Sequence, residues 1–91
     1  AVVGLTKALA VEWAPHGITV NALAPGYYGT APNLRWFQSN PEIHEKVLDL
    51  IPLSRLGTIE ELAGLVVVMA SDICSYMTGS TIVIDGGYTL W

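Results

Sequence analysis

Residues 18–26 read Ile-Thr-Val-Asn-Ala-Leu-Ala-Pro-Gly, and this run decides the fold class. Ile18, Val20, Ala22, Leu23 and Ala24 put apolar groups at both odd and even positions. A strand with one wet face alternates, whereas a strand of a parallel sheet is covered by helices on both faces and does not. Ile18 to Ala24 is therefore expected to be such a strand. Pro25-Gly26 stops it, because proline has no N–H for the ladder and Pro-Gly turns the chain. Upstream, residues 1 to about 14 carry Val2, Val3, Leu5, Leu9, Val11 and Trp13 among alanines, with Pro15 and Gly17 closing the run. That spread of apolar groups predicts a helix buried on more than one side. Gly4 and Ala8, one turn apart, form a shallow face where another helix could approach.

Downstream, Tyr27 to Pro52 is rich in Tyr, Gly, Pro, Asn and Trp, which suits a binding loop or lid of about residues 27–52. One helix is expected inside it, with Asn40 as N-cap, Pro41 in the first turn, and Ile43, Val47, Leu50 and Ile51 on the docking face. Thr58 and Glu61 then form a T-x-x-E capping box. The helix it opens has Leu62, Leu65, Val66 and Met69 as its inward stripe, widened by Val67, Val68 and Ala70. Thr81 to Asp85 reads as a second strand, preceded by Thr78-Gly79 and closed by Gly86-Gly87. Strand, helix, strand implies a crossover between parallel strands. Ligands of such sheets sit outside the carboxyl ends of strands, which draws attention to Pro25-Gly26 and the loop after it.

Composition narrows the function. The 91 residues are 52% hydrophobic and 13% charged, against about 25% charged in an ordinary soluble domain, so much apolar surface is expected to be covered by residues outside this chain. Ala1 to Val3 read as helix interior with no cap before them, so the expectation is a chain that begins inside an element. A net charge of −4 with four Lys plus Arg leaves no basic surface for a phosphate backbone, and nucleic acid is not an expected partner. The longest apolar run falls far short of the roughly 20 residues of a membrane helix. Cys74 is the single cysteine; no internal disulfide is possible, which suits a reducing, cytoplasmic compartment. No catalytic cluster and no metal site is expected.

The residues alone leave the candidate site open. Pro25-Gly26 can simply turn the chain while Thr30 bonds its own backbone. Arg35, Trp36 and Phe37 lie in the insertion: Arg35 can grip a carboxylate or can be a solvated loop charge, and the aromatics can touch substrate or pin the lid. His16 is expected at a helix C-terminus and His44 on a solvated helix face. Arg55 is expected to pair with Glu60 or Glu61, and Cys74 to be unactivated. Tyr88, Leu90 and Trp91 form an apolar tail of the kind that marks contacts.

Three ordered segments carry a resemblance: ALAVEWAPHGITVNALAPGYYGT (8–30), IPLSRLGTIEELAGLVVVMASD (51–72) and SYMTGSTIVIDGG (75–87). Together they resemble a short-chain dehydrogenase/reductase from Ala1 to about Gly87. Within that family PGYYGT, NPEIHEKVLDLIPLSRLG and GGYTLW are similar to gluconate 5-dehydrogenases and related sugar-acid or polyol enzymes. The resemblance implies the C-terminal part of a Rossmann-like, doubly wound parallel sheet, an NAD or NADP cofactor, and hydride transfer with a small alcohol or carbonyl substrate. On the family's P-G-x-x-x-T pattern it makes Pro25, Gly26, Tyr28 and Thr30 cofactor residues: a backbone amide and carbonyl near Tyr28 pair with the nicotinamide carboxamide, and Thr30 adds a hydroxyl contact. Arg35 and Trp36 become substrate candidates.

The same resemblance places the catalytic Ser, Tyr and Lys upstream, together with the glycine-rich phosphate loop and the Asn-Ala-Gly turn. Lys7 lies about two helical turns too far along to replace that lysine. A homotetramer is implied, with a dimer as fallback, through the first helix and the terminal residues. The competing reading is a catalytically inactive piece that acts only as a packing or oligomerisation module.

Overall fold

The structure is a computed structural model and describes residues 1–90; Trp91, the end of the expected apolar tail, lies outside the described residues. The element order is α1 (Val2–Trp13), a 3-10 turn (Ala14–His16), β1 (Ala22–Pro25), α2 (Ala31–Ser39), α3 (Pro41–Leu50), α4 (Ile59–Met69), a 3-10 turn (Asp72–Cys74), β2 (Thr81–Ile84) and a 3-10 turn (Tyr88–Leu90). The fold is α/β, and β1 pairs with β2. Ala22 N–H donates to Ser80 O at 2.9 Å and Gly26 N–H to Ile84 O at 3.1 Å. The ladder advances by four residues on both strands, so they run parallel, as the crossover predicts. The chain divides into two compact units: residues 1–24 with 64–83, and residues 25–63 with the segment from Ile84 onward.

In the first unit β1 begins at Ala22, not at Ile18. Side chains take the place of the ladder over the residues before it. Val20 N–H donates to Thr78 Oγ1 at 3.1 Å, and Asn21 donates from Nδ2 to Met77 O at 3.0 Å while its Oδ1 accepts from Ser80 N–H at 3.1 Å. Gly79, at φ 75°, sends its N–H to Val20 O at 2.7 Å, a left-handed turn that suits glycine. The chain upstream ends α1 through Pro15 and Gly17, the latter also left-handed at φ 73°. Helix α1 finds little of its expected cover within this chain. Only Thr6 and Ala10 are buried, Thr6 by returning its hydroxyl to Val2 O at 2.7 Å, whereas Val2, Leu5 and Val11 are exposed, Val11 by 77%. The Gly4 face meets nothing within 4 Å.

Helix α4 opens on the expected capping box: Glu61 N–H donates to Thr58 Oγ1 at 3.2 Å and Thr58 N–H to Glu61 Oε1 at 2.9 Å. Its inward stripe is narrower than the sequence suggests. Leu62, Leu65 and Met69 are half-buried, while Val66, Val67, Val68 and Ala70 are exposed.

The second unit departs most from expectation, because its insertion holds two helices. Helix α2 starts where Thr30 caps it, Oγ1 accepting from Asn33 N–H at 3.3 Å, with a proline in its first turn. Thr30 followed by Pro32 is a helix-start pattern; the Asn and aromatic content of the segment disguised it as loop. Asn40 stands at the start of α3 but makes no side-chain cap there; its Nδ2 donates back to Trp36 O at 2.8 Å, closing α2 instead. The docking face of α3 is His44, Val47, Leu48 and Ile51, not the expected set: Ile43 and Leu50 are exposed. Phe37, Val47 and Ile51 form the core, with Leu56 and Tyr88 packed on it. Tyr88 thus belongs to this unit's own core, whereas Leu90 is exposed. Among the described residues no helix is long and apolar enough to cross a membrane.

Candidate functional site

The carboxyl end of β1 leads into residues 25–30, and each is held for a definable reason. A Cβ on Gly26 would lie 2.6 Å from Asp85 Cβ and 2.9 Å from its Cα. Glycine is therefore demanded here by the close approach of the chain itself. Tyr27 packs its ring against Tyr88 (centroids 5.5 Å) and Phe37 (6.5 Å).

Tyr28 is buried and donates its hydroxyl to Ile84 O at 2.8 Å. Burial first, then the charges of Glu61 and Asp85, push its pKa up, so it stays a donor. Its backbone bridges Gly57 in parallel fashion: Gly57 N–H donates to Tyr27 O and Gly29 N–H to Gly57 O, both at 2.9 Å. In that arrangement the N–H and C=O of Tyr28 itself point away from Gly57. The carbonyl accepts twice, from Thr30 N–H at 2.9 Å and Asn33 Nδ2 at 2.8 Å. A carbonyl has two lone pairs, so the Tyr28 oxygen is saturated here.

Of the expected site residues, Pro25, Gly26, Tyr28 and Thr30 thus form one continuous segment, with Pro25 at the exposed end of β1. Arg35 and Trp36 stand apart from it on α2, both exposed; Trp36 lays its ring edge-on to Phe37 at 5.4 Å, and Arg35 has no partner among the described residues. Sequence reasoning missed Asn33 and Gly57. The signal for Asn33 is its place three residues after the capping Thr30. For Gly57 there is only its position before the Thr58 capping box.

Beneath the segment a cleft of about 90 Å³ is lined by Tyr27, Tyr28, Arg55, Glu61 and Asp85 among others. Ligand pockets usually measure about 300–1,000 Å³, so this space is too small for a whole ligand. Arg55 meets Glu61 through two parallel bonds, Nη1 to Oε1 at 2.8 Å and Nη2 to Oε2 at 2.9 Å. That pairing selects Glu61 over Glu60. The Arg55 bonds, then those from Thr58, lower the Glu61 pKa to about 2. Asp85 accepts from Gly87 N–H at 2.9 Å and Thr89 N–H at 3.0 Å; hydrogen bonding from Thr89 leads the causes that lower its pKa. Asp85 is thereby a turn-former at the strand end.

His44 is not on a solvated face. It is half-buried and stacks on Phe37 with ring centroids 4.6 Å apart. His16 is exposed in its 3-10 turn, and Cys74 is a half-buried free thiol. Lys7 is exposed on α1. No group of three His, Cys, Asp or Glu residues suited to a metal occurs among the described residues.

A parallel strand pair with a loop at one strand's carboxyl end does not by itself name a function, and comparison with known proteins gives the family. A family profile described as enoyl-(acyl carrier protein) reductase matches residues 1–89. The chain belongs to this family of short-chain dehydrogenases/reductases, whose structures are Rossmann folds. It is 47% identical, over all 91 residues, to galactitol 2-dehydrogenase (L-tagatose-forming) from Cereibacter sphaeroides, covering 35% of that protein. A solved structure of a candidate 2-deoxy-D-gluconate 3-dehydrogenase from Agrobacterium tumefaciens, with bound NADP, matches 99% of the chain and 36% of its own length at TM-score 0.90 and 40% identity. A 4-hydroxyisoleucine dehydrogenase mutant complexed with NADH and succinate matches all of the chain and 37% of its own at TM-score 0.91 and 31% identity. The chain therefore spans about a third of the length of these relatives.

Proposed function

We propose that this chain is the C-terminal part of an NAD- or NADP-dependent oxidoreductase acting on a small polyol or sugar acid, with its catalytic Ser, Tyr and Lys in preceding sequence. The observation that carries the reading is the segment 25–30, which matches P-G-x-x-x-T and keeps two hydrogen-bond donors in hand. The Tyr28 N–H has no partner among the described residues, and Thr30 accepts at its oxygen while its proton remains to be given.

These donors fit the acceptor end of a nicotinamide carboxamide. They do not support the two-sided pairing expected from sequence, because the Tyr28 carbonyl is already doubly bonded. When bound, the nicotinamide supplies or takes the hydride. The chain's own part is orientation: Tyr28 N–H and Thr30 Oγ1 hold the amide oxygen, so that one ring face is turned to the substrate. Exposed Arg35 and Trp36 give α2 a surface for a polar substrate. The family resemblance makes a homotetramer, or a dimer, the proposed assembly, through α1 and the terminal residues. A cytoplasmic home agrees with the free Cys74.

The test is turnover of the complete enzyme with NAD and with NADP on polyols, sugar acids and 3-oxoacyl thioesters. Preference for a polyol or sugar acid, together with a higher substrate KM in Trp36→Ala, supports the reading. Preference for acyl thioesters, or no nicotinamide dependence, overturns it.

A further inference from the structure

We propose that Tyr28 serves the cofactor segment through its side chain, as a positioning residue seated on Gly57 and tied to the end of β2. The inference rests on the cofactor reading of residues 25–30 given above.

The expectation from sequence concerned only the backbone near Tyr28 and left the phenol without a task. The structure gives it two. The ring lies over Gly57 so closely that a Cβ there would stand 2.5 Å from Cε2, 2.7 Å from Cδ2 and 2.9 Å from Cζ. The hydroxyl reaches past that seat to Ile84 O at 2.8 Å, where an aliphatic side chain could make no bond. Three fastenings then hold one peptide stretch: the phenol to β2, the two backbone bonds to Gly57, and the Asn33 amide on the Tyr28 carbonyl.

With residue 28 held at side chain, carbonyl and both neighbours, its N–H is left with one direction. A donor whose direction is fixed before the ligand arrives loses no freedom on binding. The side chain never meets the ligand; it acts through the backbone it immobilises. Gly57 has no other reason to lack a Cβ, since its backbone is not left-handed.

The complete enzyme tests this with Tyr28→Phe, which keeps the ring and removes the bond to Ile84, and with Gly57→Ala, which unseats the ring. In Tyr28→Phe the nicotinamide KM is expected to rise roughly fivefold, the size of one lost hydrogen bond, with substrate KM at saturating cofactor unchanged. Gly57→Ala is expected to raise cofactor KM further, and Tyr28→Leu in the same chain to recover part of that loss by vacating the space. A fall in melting temperature with cofactor KM unaltered would make the phenol structural only and overturn the proposal.

Hydrogen exchange on the wild type keeps the question decidable if a variant does not fold. The Gly29 and Gly57 amides should exchange slowly without cofactor, and free exchange would refute the fastening. Wild-type enzyme that neither binds nor turns over NAD or NADP would instead remove the cofactor reading, and this proposal with it.

Discussion

The two units use their apolar residues in opposite ways. Both contain regular elements, and the first holds a twelve-residue helix and most of both strands, yet its buried residues are only Thr6 and Ala10. Val2, Leu5, Val11 and Val67 are exposed in it. The second comes from a stretch dense in Pro, Gly and Asn, and it builds a core of Phe37, Val47 and Ile51 with Ile51 only 2% exposed. Regular secondary structure and self-sufficiency are thus separate properties. A helix that is apolar all round needs neighbours on several sides, whereas two short helices folded on one another supply most of theirs.

The contrast can be broken most severely by producing residues 1–91 alone. Without cover for the first unit, and with a sheet of two strands, too few for independent stability, the chain is expected to associate and to show no cooperative urea transition. It should also give no nicotinamide turnover. Sedimentation, urea unfolding and an assay read all three, and a monodisperse, cooperatively unfolding monomer would show that the first unit needs no cover.

Within the complete protein, Ile51→Ala should cost about 2–5 kcal/mol by urea unfolding, as for other large-to-small changes in a packed core. A cost below about 1 kcal/mol would mean that the second unit's core matters less than its burial suggests.

Thr30→Ala removes a helix cap and should cost about 1 kcal/mol, with a higher cofactor KM as well. Thr30→Ser, which keeps the oxygen and its proton, should restore both. Unchanged cofactor KM and turnover in Thr30→Ala would remove Thr30 from the proposed site.

The smallest effect concerns pH. The Glu61 pKa is lowered in the folded chain from 4.5 to about 2, so the unfolded state binds the proton more readily. The associated stability is present above about pH 4.5 and is lost as pH falls toward 2. Because Arg55 and Glu61 are both exposed, the change should be slight and weakened by salt. Glu61→Gln should flatten that part of the acid-unfolding profile, and an identical profile would show the pair to be inert.

Much of this was legible in the sequence because it depends on neighbours along the chain. The Thr58–Glu61 box, the left-handed Gly17 and the parallel sense of β1 and β2 follow from local chemistry and element order. Of the P-G-x-x-x-T segment the residues themselves give only the Pro-Gly turn; the rest of the pattern comes from the family resemblance. What failed depended on competition for partners. Asn40, expected to cap α3, turns back to Trp36 instead, and Thr30, for which the residues leave a bond to the local backbone open, caps a helix α2 that the sequence does not announce.

The sequence by itself determined the class of fold, the family and the place of the candidate segment, since these rest on periodicity, turn residues and the order of motifs. Only the tertiary structure decided which groups of that segment are spent on the chain itself. Gly26 is taken by Asp85, the Tyr28 phenol by Ile84 and the Tyr28 carbonyl by Thr30 and Asn33. Ile84 and Asp85 lie more than fifty residues away along the chain. A hydrogen-bonding group serves whichever partner lies within about 3 Å, and no local pattern specifies which distant backbone will arrive there.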